Sequence, residues 1–324
     1  LYRPQKLNSK YIMKVLITGS SGYLGSLLVN FLVSEKIAVV GIDNRKSEAL
    51  PPGDFFKFYL CSITDKAVLE EIFLREQPTH VVHFACTFNK VRDRKKELFI
   101  DIGGSENILN VSNRTLSVVQ IVHSSSAAAY GGWMDNPEWI NETHSLRPGK
   151  YRYGMNKKAI EQIYLSATVR DNLRIVILRI CTVTGPFFTS DRIILRLLTR
   201  FPFLPGFCKD CKIQLLHEDD FVSLLHKVIN DGLIEGVYNL APDSFAAVRD
   251  IATDKKYFMF PAGVIKSILW VLWNLKVLNL QPAGINNSIY PIILDPAKLQ
   301  SRYSYKFRYT TTEALAATPH KKKH

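Results

Sequence analysis

The sequence predicts an α/β fold, a doubly wound parallel sheet with a smaller, interleaved C-terminal lobe. Three observations carry that expectation. Apolar strands alternate with amphipathic helices as far as Gly185-Pro186. Those strands are apolar almost throughout, as strands covered on both faces must be, and do not alternate polar with apolar. A glycine-rich turn joins the first strand to the first helix. With 324 residues, 47% of them hydrophobic, the chain can bury one large core.

The first strand, Lys14-Val15-Leu16-Ile17-Thr18, is a β-branched run stopped by glycine, and an apolar periodic helix follows from Tyr23 to Leu32. A second strand, Ile37 to Ile42, ends at Asp43. An amphipathic helix at about 66 to 75 leads into the strand His80-Val81-Val82-His83-Phe84-Ala85. A helix near 93 to 113 precedes a strand at Ser117 to His123, and a long helix from about 148 to 169 precedes the run Arg174 to Cys181. Beyond Gly185-Pro186 the rhythm breaks into segments rich in Phe, Leu, Arg and Pro, after which Gln214 to His217 and Gly236 to Leu240 read as short strands returning to the main sheet. The expected organisation is a main domain over 13–185, with 216–240 returning to it, and a substrate-covering lobe from 186–215 and 241–319. Residues 1–12 and 320–324 are expected to be tails.

The formal net charge is +13, and Lys321, Lys322 and Lys323 carry three of those charges. Such a basic excess fits anionic small-molecule ligands. Nucleic acid is not expected, because the Lys and Arg residues are scattered and neither zinc-finger spacing nor a basic base-reading helix is present. Five cysteines, an odd number with three in strongly apolar runs, fit a reducing, cytoplasmic setting. Cys208-Lys209-Asp210-Cys211 has redox or half-zinc spacing, yet no second such pair or close histidine pair follows. It reads as two loop thiols, and no metal site is expected. The polar, basic segment Leu1 to Ile12 lacks the apolar core of a secretory signal.

Gly19-Ser20-Ser21-Gly22-Tyr23-Leu24-Gly25 directly follows the first strand and opens the first helix. Glycines at these three places permit a tight turn, a close backbone approach to a pyrophosphate and close packing of helix on strand, while the helix N-terminus offers free N–H groups to phosphate. Gly19, Ser21, Gly22, Tyr23, Leu24 and Gly25 are therefore expected to hold a dinucleotide. Asp43 ends the second strand about 20 residues on, where a carboxylate accepts hydrogen bonds from the adenosine ribose and repels a 2′-phosphate. This favours NAD. Asn44 and Arg45 are expected beside the cofactor as well, and the cations Arg45 and Lys46 keep NADP open, because a cation there can hold a 2′-phosphate.

Tyr153 and Lys157 lie four apart on an expected helix and so share one face. A phenol is a poor base at neutral pH, and an adjacent ammonium stabilises its phenolate form. Together with the glycine turn, the strand His83-Phe84-Ala85-Cys86, the run Ser124-Ser125-Ser126-Ala127-Ala128-Ala129-Tyr130-Gly131 and the segment Tyr153-Gly154-Met155-Asn156-Lys157 occur in the order and spacing of a known family. From Lys14 to about Leu315 the chain resembles the extended short-chain dehydrogenase/reductase superfamily, in its NAD-dependent epimerase/dehydratase branch. The resemblance implies that Tyr153 exchanges the substrate hydroxyl proton, that Lys157 also holds the nicotinamide ribose, and that Ser126 hydrogen-bonds the reacting oxygen. It further implies cofactor contacts from Ser62, Ile63, Phe84 and Ala85, and a homodimer.

Departures from that pattern bear on the substrate. Ser62 stands where the family usually has an adenine-binding Asp, and Thr182 where it has an Asn after the sixth strand. Ile213-Gln214 stand where many sugar-nucleotide members carry an Arg-Asp pair, removing a usual diphosphate anchor. Arg192, Arg196 and Arg200 on an expected helix read as a solvated basic face, with a substitute diphosphate anchor as the other reading. The segment 262–281 is apolar on nearly every face but is interrupted by Lys266, Asn274 and Lys276 and bounded by Pro261 and Pro282. It is expected to be a lid helix or subunit contact and not a membrane span, with interfacial membrane docking and a greasy-substrate pocket as the other two readings. The functional expectation is an NAD-dependent enzyme acting at a secondary alcohol or ketone carbon, in a nucleotide-sugar epimerase- or dehydratase-like reaction. A dehydrogenase or reductase of a more hydrophobic alcohol, and a non-catalytic dinucleotide-binding protein, are the alternatives.

Overall fold

The structure, a computed structural model, describes residues 13–88, 91–188, 203–205, 210–251, 253, 256–258, 262–276 and 281–319. Residues 1–12 and 320–324, the arginines at 192, 196 and 200, and Cys208 lie outside the described residues.

Alternation within each strand decides which helices it meets. In β1 (Lys14–Thr18), Val15 and Ile17 face one way and Leu16 the other. The split recurs in β2 (Ala38–Asp43), β4 (His80–His83), β5 (Gln120–Ser126) and β6 (Arg174–Ile180), where Val39, Val82, Val122 and Val176 oppose Val40, Val81, Ile121 and Ile177. The first face packs under α1 (Tyr23–Ser34) and α6 (Glu218–Asn230); the second packs under α2 (Lys66–Glu76), α4 (Gly104–Arg114) and α5 (Arg152–Ser166). Both faces of the strands are thereby buried, which is why they are apolar throughout.

The main sheet has seven strands in the order β11-β6-β5-β4-β1-β2-β3, and every pair is parallel. The chain winds from β1 outward to β3 (Phe56–Leu60), then crosses to the other side of β1 with β4. A crevice opens at that reversal, above the carboxyl ends of β1 and β4. The run-length of apolar residues does not announce β3. It is an edge strand with Lys57 as its second residue and Leu60 70% exposed at its end, so it lacks the two-sided apolar character of its neighbours.

Three departures from the sequence expectation shape the site and its surroundings. β5 runs three residues further than His123, because the serines at its end are buried with their hydroxyls satisfied: Ser124 donates to the His83 carbonyl at 2.9 Å, and Ser125 donates to the Glu161 carboxylate. The single helix expected near 93 to 113 is α3 (Arg94–Leu98), a π-helical turn (Phe99–Gly103) and α4. That wide turn holds Asp101 inward, where its carboxylate accepts from the Thr87 N–H at 2.8 Å and from Asn156 Nδ2 at 2.8 Å. The segment expected to bring Gln214 to His217 back to the main sheet does not do so. Its strand β10 (Leu215–His217) pairs in parallel with β7 (Thr182–Thr184) as a separate ribbon, because β11 (Gly236–Leu240) already occupies the free edge of β6.

Beyond the main sheet, β8 (Phe203–Pro205) pairs with β13 (Lys256–Phe258), and β9 (Lys212–Ile213) pairs with β12 (Ala246–Ala247), followed by α7 (Val248–Ile251). A small core of Leu204, Cys211, Leu215, Val248, Ala314 and Leu315 sits between these pieces. The helix α8 (Ala262–Asn274) covers the first half of the apolar segment singled out in the sequence. Among the described residues no helix is long and apolar enough to cross a membrane.

Candidate active site

The glycine turn sits at the mouth of the crevice. Gly19 adopts φ +70°, and its N–H donates to the Ile42 carbonyl at 2.8 Å, locking the turn across to β2. A Cβ on Gly19 would come within 2.8 Å of the Ala85 backbone nitrogen, and one on Gly25 within 2.1 Å of the Gly19 carbonyl oxygen. Only glycine lets α1 close this tightly on the turn. The N-terminus of α1 has no side-chain cap and no acidic residue in its first turn. An uncapped helix end of this kind suits an anion. These features fit a dinucleotide pyrophosphate.

Asp43, at the end of β2, faces the same turn. Its carboxylate accepts from the Ser21 N–H at 3.0 Å and from the Arg45 N–H at 3.3 Å, and Ser21 Oγ donates to the Arg45 carbonyl at 2.7 Å. Ser21 and Asp43 are thus held together, with Asn44 and Arg45 exposed beside them. Lys46 lies over the Phe58 ring at 5.9 Å. Phe84 and Ala85, directly after β4, form the wall against which Gly19 packs. Ser62 and Ile63 lie further out. The Ser62 hydroxyl bonds that of Thr64 at 2.8 Å just ahead of α2, and the Ile63 side chain packs on Gly104.

The second half of the site is built by β5 and α5. Tyr153 and Lys157 fall in the first two turns of α5, and the Lys157 ammonium, buried at 3% exposure, donates to the Ser124 carbonyl at 2.5 Å. That bond ties α5 to the strand whose last residue is Ser126. The ammonium stands 5.8 Å from the centre of the Tyr153 ring, which Phe88 meets edge-on at 4.9 Å. The Ser126 hydroxyl accepts from the Ala128 N–H at 3.2 Å, and Gly154 packs so closely on Ala128 that a Cβ there would lie 2.4 Å from its carbonyl oxygen. The first turn of α5 is therefore seated on the turn that follows Ser126.

Beneath this surface lie two histidines that stay neutral. His83 bonds Thr18 Oγ1 at 2.7 Å and Ser105 Oγ at 2.9 Å; burial, helped by the nearby Lys157 ammonium, pushes its pKa down to about 3. His123, its ring tilted against those of His83 and Tyr164, is depressed well below the ordinary value, first by burial and then by the Lys157 ammonium. With both rings neutral, neither adds a positive charge beside the Lys157 ammonium.

Two pairs were not singled out by sequence reasoning. Glu161, one helical turn beyond Lys157, forms a buried ion pair with Arg179 of β6 at 2.8 Å and also accepts from Ser125. Arg179 further donates to the Tyr130 hydroxyl at 2.7 Å, and that hydroxyl donates to Asn239 Oδ1 at 3.0 Å. The available signal was an arginine inside the apolar strand Arg174–Ile180, which demands a buried partner. Glu218 is the other case. At the start of α6 it reads as a residue favoured by the helix dipole, yet its carboxylate is buried and accepts from the Tyr23 hydroxyl at 2.5 Å and the Phe187 N–H at 3.1 Å. Burial raises its pKa, with the bonds from Tyr23 and Phe187 working the other way.

Gln214, where a diphosphate-binding pair was looked for, is a structural tie. It is buried, donates to the Pro242 and Leu294 carbonyls at 2.8 and 2.9 Å, and accepts from the Leu294 N–H at 2.8 Å. Thr182 lies in β7, beside Leu215. Among the described residues no group of His, Cys, Asp and Glu is placed to hold a metal ion.

A parallel sheet with a glycine turn at its reversal point, and a Tyr–Lys helix seated on the next strand end, defines a dinucleotide-dependent class of α/β protein. The chain belongs to the NAD dependent epimerase/dehydratase family, whose model matches residues 15–241. The UDP-glucose 4-epimerase of Mycoplasma genitalium is 28% identical over 184 residues, covering 53% of this chain and 53% of that protein. The dTDP-D-glucose 4,6-dehydratase of Dictyostelium discoideum is 26% identical over 274 residues, or 75% of this chain and 61% of its own length. This chain thus spans about half the length of the first of these relatives. The Bordetella bronchiseptica enzyme WbmG, solved in complex with NAD and UDP, has the same fold, with a TM-score of 0.75 at 22% identity over 96% of this chain and 94% of its own.

Proposed function

We propose that this chain is an NAD-dependent enzyme that oxidises a secondary alcohol carbon of a nucleotide sugar and returns the hydride within the same turnover, as in an epimerase- or dehydratase-like reaction. The observation that carries this reading is the Lys157–Ser124 bond, which fixes Tyr153 and Ser126 on one rigid unit beside the glycine turn. In this reading Gly19, Ser21, Gly22 and the N-terminus of α1 hold the pyrophosphate, Asp43 takes the adenosine ribose and disfavours NADP, and Lys157 takes the nicotinamide ribose. NAD, when bound, supplies the hydride acceptor. Tyr153 Oη takes the proton from the substrate hydroxyl as the C–H hydride leaves, and gives it back when hydride returns. The Lys157 ammonium favours the phenolate through that cycle, and Ser126 Oγ steadies the reacting oxygen.

The test is made on the purified protein. Its bound cofactor is released by denaturation and identified, and UDP-glucose and dTDP-glucose are then incubated with it and followed by NMR. Retained NAD with conversion at C4, and no net NADH, is the expected result. Protein that releases cofactor freely and accumulates NADH with an apolar alcohol would replace this reading with that of a dehydrogenase. One feature favours that second reading: a cavity of about 760 Å³ walled by Trp133, Pro148, Trp270, Val271 and Pro282 lies beside the start of α5.

A further inference from the structure

The helix α8 is apolar on two sides, and among the described residues only one packs on the fold. Its inner side is pinned. Leu269 is buried, and the Arg92 guanidinium lies 4.5 Å from the Trp273 ring centre while donating to the Trp273 carbonyl at 2.6 Å. Arg152, the first residue of α5, in turn donates to the Arg92 carbonyl at 3.0 Å. The outer side carries Val264, Ile268, Val271 and Leu275, spaced by four, three and four residues and so aligned along one stripe, with Trp270 beside them. These five stand 44% to 66% exposed. Through Trp270 and Val271 the stripe runs on into the cavity that Trp133 shares, and Met134 next to Trp133 is 85% exposed. A continuous apolar surface of this kind marks an interaction site.

Charge selects its partner. From Lys255 to Leu294 the sequence contains four lysines and not one Asp or Glu. Lys256 and Lys276 are exposed on either side of α8. Two copies of this chain meeting stripe to stripe about a twofold axis would bring the lysines at 256 and 276 of each together, with no Asp or Glu in the segment itself to answer them. A surface that accepts an apolar stripe and supplies negative charge around it meets both demands. We propose that the outer stripe of α8 docks on an anionic lipid bilayer, with the helix lying in the interface and the flanking Lys256 and Lys276 over the headgroups. The stripe is long enough to lie on a bilayer and too short to cross one. The proposal is independent of the reaction the site performs.

Flotation of the full chain with phosphatidylcholine vesicles, with and without about 30 mol% phosphatidylserine, tests it. Binding to the serine-containing vesicles is expected, weaker by roughly tenfold on neutral ones and falling with added salt. Ile268→Asp and Trp270→Ser, both on the exposed stripe, should each abolish flotation while leaving the circular dichroism spectrum and melting temperature unchanged. Leu116→Ser, which removes another exposed apolar residue on a distant turn, should leave flotation intact. Absence of binding to either vesicle, or binding that survives Ile268→Asp, overturns the proposal. So does a dimer in light scattering that Ile268→Asp dissociates without any vesicle binding, which would assign the stripe to a second copy.

Discussion

At Tyr153 and Lys157 the reading of the site can be split by substitution. Tyr153→Phe keeps the ring against Phe88 and removes the exchangeable proton, so folding and NAD affinity should persist while turnover falls about 10²- to 10⁴-fold, as for a lost general acid–base. Lys157→Met should lower both turnover and NAD affinity, a difference that calorimetric titration of each variant with NAD would register. Near-wild-type turnover in Tyr153→Phe would remove the proton role from that residue. Glu218 makes a pH-dependent case. Its carboxyl is raised by burial, so the fold prefers it protonated; that contribution is full below the unfolded-state pKa and is lost as pH rises through the folded one. Relative to wild type, Glu218→Gln should therefore gain stability as pH is raised from the acid range to neutrality, and the gap should narrow as pH falls. Urea midpoints across that range measure it, and a gap that widens toward acid would reverse the assignment. Residues of this kind were the least legible in the sequence. Tyr153, Lys157 and the glycines announce themselves by spacing, whereas Glu218 and Glu161 acquire meaning only from partners 195 and 18 residues away.

Among the elements, the pair of α5 with the ends of β5 and β6 is the most stringent test of packing. Glu161 and Arg179 are buried at 1% and 6% side-chain exposure, with Ser125 and Tyr130 completing their hydrogen bonds. Glu161→Gln leaves a guanidinium in the interior without its counter-charge and should cost about 3–5 kcal/mol in urea unfolding. Adding Arg179→Met to that variant should recover part of the loss, because the stranded charge is removed; further loss in the double variant would mean the network holds the fold in another way. The central strands were readable because two-sided burial makes them uniformly apolar, and α2 because its apolar residues recur at helical spacing. The tail of β5 was not, since three consecutive serines look like a loop until their hydroxyls find His83, Glu161 and Ala128. The edge strand β3 was missed for the opposite reason: one exposed side leaves too little apolar signal.

For the whole molecule, the glycine turn, β4 and α5 come from separate stretches of chain, and a ligand that bridges them must stabilise all of them together. NAD at about 100 times its dissociation constant should add roughly 2.7 kcal/mol, seen as a rise of several degrees in melting temperature. NADP at the same concentration should raise it less if Asp43 takes the adenosine ribose as proposed; an equal or larger rise would favour Arg45 as a 2′-phosphate holder. The strand order also has a meaning in time. β11 closes the outer edge of β6, yet the whole of 181–235 must be made before β11 exists. At about 5–20 residues per second, a ribosome leaves that edge open for several seconds, with the apolar side chains of Arg174–Ile180 bordering unpaired backbone. A nascent chain arrested within that interval presents a template for strand addition that the finished protein lacks. Chaperone capture should therefore peak for chains released just short of 236 and fall once 240 has emerged.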